Sequence, residues 1–217
     1  MAIEFADYRC RVLRRLAALS GRHRAAFAAL CAERQYGTYA YVSRLDSSLR
    51  PDVLRKAIDR CWAFIRGEEI SSDEWADLNE AINQLIPNLD VEYMSGYASL
   101  ILDATAAVSY LLNTCITGSP QEAVFAGECA RNAVDEWVTG IVAPKKEGLP
   151  EHIISISPGE LPALQALIDS HPIVVREMQQ EEHDLTYLEN HKTLTADDCD
   201  HLRNAWPNRG KSNLDLE

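Results

Sequence analysis

The stretch Tyr93-Met94-Ser95-Gly96-Tyr97-Ala98-Ser99-Leu100-Ile101-Leu102-Asp103-Ala104-Thr105-Ala106-Ala107-Val108-Ser109-Tyr110-Leu111-Leu112-Asn113-Thr114-Cys115-Ile116-Thr117 decides the fold. It is long, apolar and free of proline, and Gly118 follows it as a natural C-terminal stop. Asp103 and the scattered Ser, Thr and Asn make it a buried core helix and not a membrane span. Around this central helix, apolar residues recur at helical spacing almost everywhere, and strand-like alternation is nearly absent.

Toward the N-terminus, Phe5, Tyr8, Val12, Leu16 and Leu19 form one stripe of a helix from about Glu4 to Leu19, stopped by Ser20-Gly21. Phe27, Leu30, Cys31 and Arg34 define a second helix, expected to end near Tyr36-Gly37. Pro51 suits a first helical position, and Gly67 suits a left-handed stop. Ser71-Ser72-Asp73-Glu74 reads as a capping box for a fourth helix, with Trp75, Leu78, Ile82 and Leu85 inward. Toward the C-terminus, Ser119-Pro120-Gln121-Glu122 and Ser157-Pro158-Gly159-Glu160 share one helix-opening grammar: cap, proline, then a glutamate that reaches back. Val142–Ser157 reads as a loop. Further helices are expected from Pro172 to about Asn190 and from Thr195 to Trp206. The result is a single-domain all-α bundle of about nine helices over residues 1–206, with a partly ordered tail over 207–217.

Composition agrees with a globular chain. In 217 residues, 47% are hydrophobic and 25% charged, and Gly (10) and Pro (9) are too few for low-complexity structure. The formal net charge is −12, a poor match to nucleic acid. Charge is uneven. Met1–Arg66 holds 13 basic and 6 acidic residues, and the remainder 8 and 27. Either the basic first third folds against the acidic remainder, or part of the acidic surface stays open for a basic partner. The N-terminus carries no targeting signal, and the six cysteines are spread singly. Both point to reduced thiols in the cytoplasm.

The motifs of catalysis are missing. There is no H-E-x-x-H, no paired Glu-x-x-His, no G-x-S-x-G and no phosphate-cradling glycine loop. No catalytic residue, metal site or cofactor is therefore expected. The arginines of the first helix and the turn after it, Arg9, Arg11, Arg14, Arg15, Arg22 and Arg24, lack interleaved aromatics and read as a solvated or internally paired face. Two constellations remain. Glu33, Arg34, Asp103 and Glu128 are polar groups among apolar neighbours. They form either a buried ion-pair cluster with Arg34 as its cation, or a small pocket lined by Tyr36, Tyr39 and Tyr97. Asp103 is expected to be buried and paired, so that removing it destabilises by about 3 kcal/mol. The second constellation is an acidic ridge. Asp73, Asp77 and Glu80 share the face opposite Trp75, and Glu68 and Glu69 precede them.

Several segments together resemble the bacterial YjaG-like family. They are Phe27–Tyr36 with Tyr39, Ile86-Pro87-Asn88-Leu89-Asp90, and Gly96-Tyr97 with Leu102-Asp103-Ala104. Arg176-Glu177-Met178, Asp184-Leu185, Leu188-Glu189 and Gly210-Lys211-Ser212-Asn213-Leu214 complete the set. They run in the family's order over most of the chain, and only Val142–Gly159 fits poorly. The resemblance implies an all-helical fold, with Asp103 and the Glu33-Arg34 pair as shared framework, and it transfers no activity. The functional expectation is a non-enzymatic acidic binding protein with a basic protein partner, for instance an immunity-type neutraliser of a bacterial toxin, without nucleic acid or membrane. The alternatives are a small-molecule enzyme or sensor at the Glu33/Arg34/Tyr97/Asp103 pocket, and a homo-oligomeric housekeeping protein.

Overall fold

The computed structural model describes residues 5–87, 97–144, 156–205 and 212–216. These residues form nine helices and no strand, and 78% of them are helical. In chain order the helices are α1 (Phe5–Ala18), α2 (Gly21–Ser43), α3 (Pro51–Arg66), α4 (Ser72–Asn83), α5 (Ala98–Thr117), α6 (Pro120–Val142), α7 (Leu161–Ser170), α8 (Pro172–Asn190) and α9 (Ala196–Asn204).

Most boundaries follow the local chemistry. Ser20, Ser71, Ser119 and Thr195 are N-caps whose side chains accept backbone N–H groups of the first turn. Thr195 and Asp198 complete a reciprocal capping box. Gly67 and Gly118 take the left-handed conformation at the ends of α3 and α5, at φ +107° and +67°. One start departs from expectation. Ser157 donates its N–H and hydroxyl to Glu160 Oε2, at 2.8 and 2.7 Å, but these bonds close a turn, and α7 begins only at Leu161. Tyr93 to Gly96, expected at the start of the central helix, and most of the expected Val142–Ser157 loop lie outside the described residues.

α5 is central, as expected, but it shares that place with α2, and the two pack together most extensively. α5 also contacts α3, α4 and α6, and among the described residues it is the one helix long and apolar enough to cross a membrane. α2 is buried on nearly all sides. Its core residues include the run Ala25-Ala26-Phe27-Ala28-Ala29. Small side chains let the neighbouring helices come close, and dispersion contacts accumulate with approach. A second, smaller apolar cluster joins α6, α7 and α8 through Val134, Val138, Leu164, Ile168 and Val174.

α2 does not stop at Gly37 but continues to Ser43. A glycine inside a helix is unfavourable by about 1 kcal/mol relative to alanine. Here the missing side chain makes room for the other end of the chain. A Cβ at position 37 would lie 2.7 Å from Ser212 Cα and 2.9 Å from Ser212 N. The tail, expected to be only partly ordered, is seated over 212–216, with Ser212, Asn213 and Leu214 buried. Asn213 spends all its polar groups on the body. Its N–H donates to Arg34 O, its side chain accepts from Thr38 and donates to Ala130 O, and its carbonyl accepts from Arg176. Leu214 enters the second cluster, and Arg176 pairs with Asp215 at 2.9 Å.

Helix propensity and tail packing therefore predict opposite signs for Gly37→Ala. Propensity alone would stabilise by about 1 kcal/mol. The collision with Ser212 backbone should instead destabilise by about 2 kcal/mol, in the range of overpacked sites, and should open the C-terminal segment to carboxypeptidase. Urea unfolding and timed digestion measure both.

Candidate functional site

The residues expected to form one pocket are distributed among separate partners. Glu33 accepts from Arg55 at 2.6 and 2.8 Å, from Trp62 Nε1 at 2.9 Å, and pairs with Arg203 at 2.9 Å. Tyr36 lies under the Arg55 guanidinium, 4.9 Å from its ring centre. Tyr39 is buried and its hydroxyl accepts the Arg50 N–H. Tyr97 meets Tyr41 edge-on. Glu128 pairs with Arg9 at 3.0 Å. Asp103 does not pair with Arg34. It is half-buried, and among the described residues it has neither a hydrogen bond nor an ion pair. Burial, reinforced by the nearby charge of Glu136, pushes its carboxyl up to about 8. The expected framework carboxylate is thus an acid that holds its proton near neutral pH.

Arg34 is the cation of a buried ion-pair cluster, as one of the two sequence readings had it, but its partners are acids of α8 that the reading did not name. Its Nε donates to Glu177 Oε1 at 2.8 Å and its Nη1 to Asp184 Oδ2 at 2.7 Å. All three side chains are at most 2% exposed. Asp184 Oδ1 accepts from Gln180. Beside them, Glu181 accepts the Tyr8 hydroxyl and faces Arg131 Nε at 3.6 Å. The Arg131 guanidinium lies over the Tyr8 ring, 3.9 Å from its centre. Burial pushes Glu181 up, to about 7, with Glu177 adding to the rise and Arg131 and Arg34 opposing it.

Glu177, Glu181 and Asp184 sit at positions i, i+4 and i+7 on one stripe of α8. That spacing was present in the sequence, but no local pattern says which cations would hold three acids at core positions. α1, α2, α6 and α8 each contribute to the cluster.

The outer charges fall into two groups. Arginines of the first third reach acids of the remainder: Arg15 with Glu182 at 2.6 Å and Glu189 at 2.7 Å, Arg9 with Glu128, and Arg66 with Asp200. Much of the charge asymmetry is therefore internal. The ridge is different. Glu68, Glu69, Asp73, Asp77 and Glu80 are all exposed. Glu68 pairs with Arg60 at 3.3 Å, and Glu80 accepts only from the neutral Gln84. Glu69, Asp73 and Asp77 have no cation among the described residues. Leu78 and Ile82 are buried beneath, and Trp75 meets Phe64 edge-on. No group of three His, Cys, Asp or Glu side chains among the described residues is arranged to hold a metal ion.

Two outcomes are expected. Arg34→Met strands Glu177 and Asp184 as buried anions, so urea unfolding should show a loss of about 4 kcal/mol. For Asp103 the sign is opposite to the sequence-based expectation. Its folded-state affinity for a proton exceeds that of the unfolded chain, so its contribution to stability is full below about pH 4 and is lost as pH rises through about 8. Asp103→Asn should therefore melt above the wild type at pH 9 and match it more closely at pH 5. A lower melt at both values would contradict this.

A crystal structure of a DUF416 family protein from Shewanella baltica OS155 is similar to this chain, with a TM-score of 0.76 and 19% sequence identity over 94% of this chain and 97% of that one. At that identity the likeness carries the fold alone. Comparison with curated proteins found no match. The family model described as "Protein of unknown function (DUF416)" matches residues 11–217, and the chain belongs to that family.

Proposed function

We propose that this protein is a non-enzymatic binding protein whose α4 face receives a basic protein partner. One observation carries this reading. Many acids elsewhere pair with arginine, while Glu69, Asp73, Asp77 and Glu80 are clustered and exposed with no cation among the described residues. The inward stripe of α4 is fixed by Leu78 and Ile82, so the outward acids are held in register at little conformational cost. A surface of this kind speeds encounter with a cationic partner more than it deepens the bound state.

The finer form of the proposal is an immunity-type neutraliser of a basic toxin, within a YjaG-like branch of the family. The overall charge of −12 supports it. Five buried, unpaired thiols support a reducing compartment such as the cytoplasm. The pocket reading has less support, because Glu33, Arg34, Tyr97 and Asp103 engage different neighbours. Membrane and nucleic-acid partners are not part of the proposal.

The test replaces Asp73, Asp77 and Glu80 together by Lys. Exposed helix charges contribute little to stability, so the melt should stay within about 1 kcal/mol of wild type. A partner isolated on immobilised wild-type protein should associate at least tenfold more slowly with the variant, and the wild-type rate should fall with added salt. Equal association rates would remove this face as the docking site.

A further inference from the structure

Two oxygens in the interior cluster have no hydrogen-bond partner: Glu177 Oε2 and Glu181 Oε1. Both side chains are fully buried. The other oxygen of each is engaged, Glu177 Oε1 by Arg34 and Glu181 Oε2 by Tyr8. A carboxylate oxygen shut away from water without a donor is strongly unfavourable. The two residues are one turn apart on α8, where Cβ atoms lie about 5–6 Å from each other. Two carboxyl groups at that spacing can reach one another.

The charges around them lead to the same place. Arg34 faces the pair from α2 and Arg131 from α6, while Asp184 joins it from α8. With Glu177 and Glu181 ionised, the described charges are two positive and three negative. The remaining titratable groups in contact are Tyr8 of α1, Cys31 of α2 and, 4.0 Å from Asp184 Oδ1, the exposed His183 of α8. Burial raises Tyr8 and Cys31, so each keeps its proton at neutral pH.

We propose that Glu177 and Glu181 share one proton in the folded protein, so that the cluster between α1, α2, α6 and α8 is a built proton-binding site. The proton resides on Glu181 Oε1 and is donated to Glu177 Oε2. A single hydrogen bond then satisfies both orphan oxygens and removes the excess negative charge. The tendency of Glu181 to hold its proton up to about pH 7 agrees with this placement. The consequence is a fold that tightens on acidification. The folded chain holds a proton that the unfolded chain releases at ordinary carboxyl values. Stability from this site is therefore full below about pH 4.5 and declines as pH rises through about 7.

The experiment uses the full chain carrying Asp103→Asn and Asp135→Asn, so that the other raised carboxyls do not overlap. At pH 6, infrared difference spectroscopy should show a protonated carboxylic acid band that Glu181→Gln removes. Unfolding at pH 6, followed calorimetrically in buffers of different ionisation heat, should release close to one proton more than unfolding of the Glu181→Gln variant. Glutamine at 181 offers a permanent N–H to Glu177, so its melting temperature should vary less between pH 5 and 8 and exceed that of its parent at pH 8. If Glu181→Gln does not fold, the carboxylic acid band of the parent and its loss on raising pH through about 7 still decide the matter. Absence of that band at pH 6, or a proton release unchanged by the substitution, would show both carboxylates ionised and overturn the proposal.

Discussion

A guanidinium with 2% exposure governs this structure. Arg34 cannot lose its charge, and an unpaired cation at that depth would be prohibitive. Its fork must therefore meet carboxylates, and Glu177 and Asp184 lie at the spacing that one face of α8 offers. This pairing fixes the rotation of α8 against α2. Once α8 is oriented, Glu181 is carried into the same interior, where it needs Tyr8 from α1 and Arg131 from α6. Four helices are thus placed by one polar requirement. The apolar contacts around it supply most of the stability, but they would accept other rotations more readily than a forked ion pair does.

Small residues make that arrangement possible. The alanines of α2 bring its neighbours close enough to seal the cluster, and Gly37 admits Ser212. The C-terminal segment then bonds to the carbonyl of Arg34 itself through Asn213. The last residues of the chain thereby lie against the backbone of the residue on which the interior depends. The exterior follows another logic. Basic side chains of the first third meet acids of the remainder at helix contacts, which leaves the α4 face with an excess of negative charge.

The helices were legible in the sequence because their ends are written locally. Ser20, Pro51, Gly67, Ser71, Gly118, Ser119, Pro172 and Thr195 each act within one turn, and each marks a boundary in the structure. Gly37 was misread as a stop because its reason for being glycine lies at the far end of the chain. Ser157 was misread as a cap because the same Ser–Glu bonds close a turn as readily as they open a helix. The α4 ridge was legible as a face, since burial of Leu78 and Ile82 sets it. The partners of Arg34 were not. Asp103 and Glu33 are near it in apolar sequence context, but choice among acids depends on helix rotation, which no local pattern encodes. Asp103 shows the same limit, because an acid among apolar neighbours can either find a cation or keep its proton.

The most direct test of the account is native-state hydrogen exchange. If the Arg34 cluster ties α2 to α8, the amides of residues 30–38 and 177–185 should exchange only through global unfolding, with equal opening free energies and equal denaturant dependence. If α8 opens at a free energy well below that of α2, the two helices separate without unfolding the protein, and the central role given to the buried ion cluster would be contradicted.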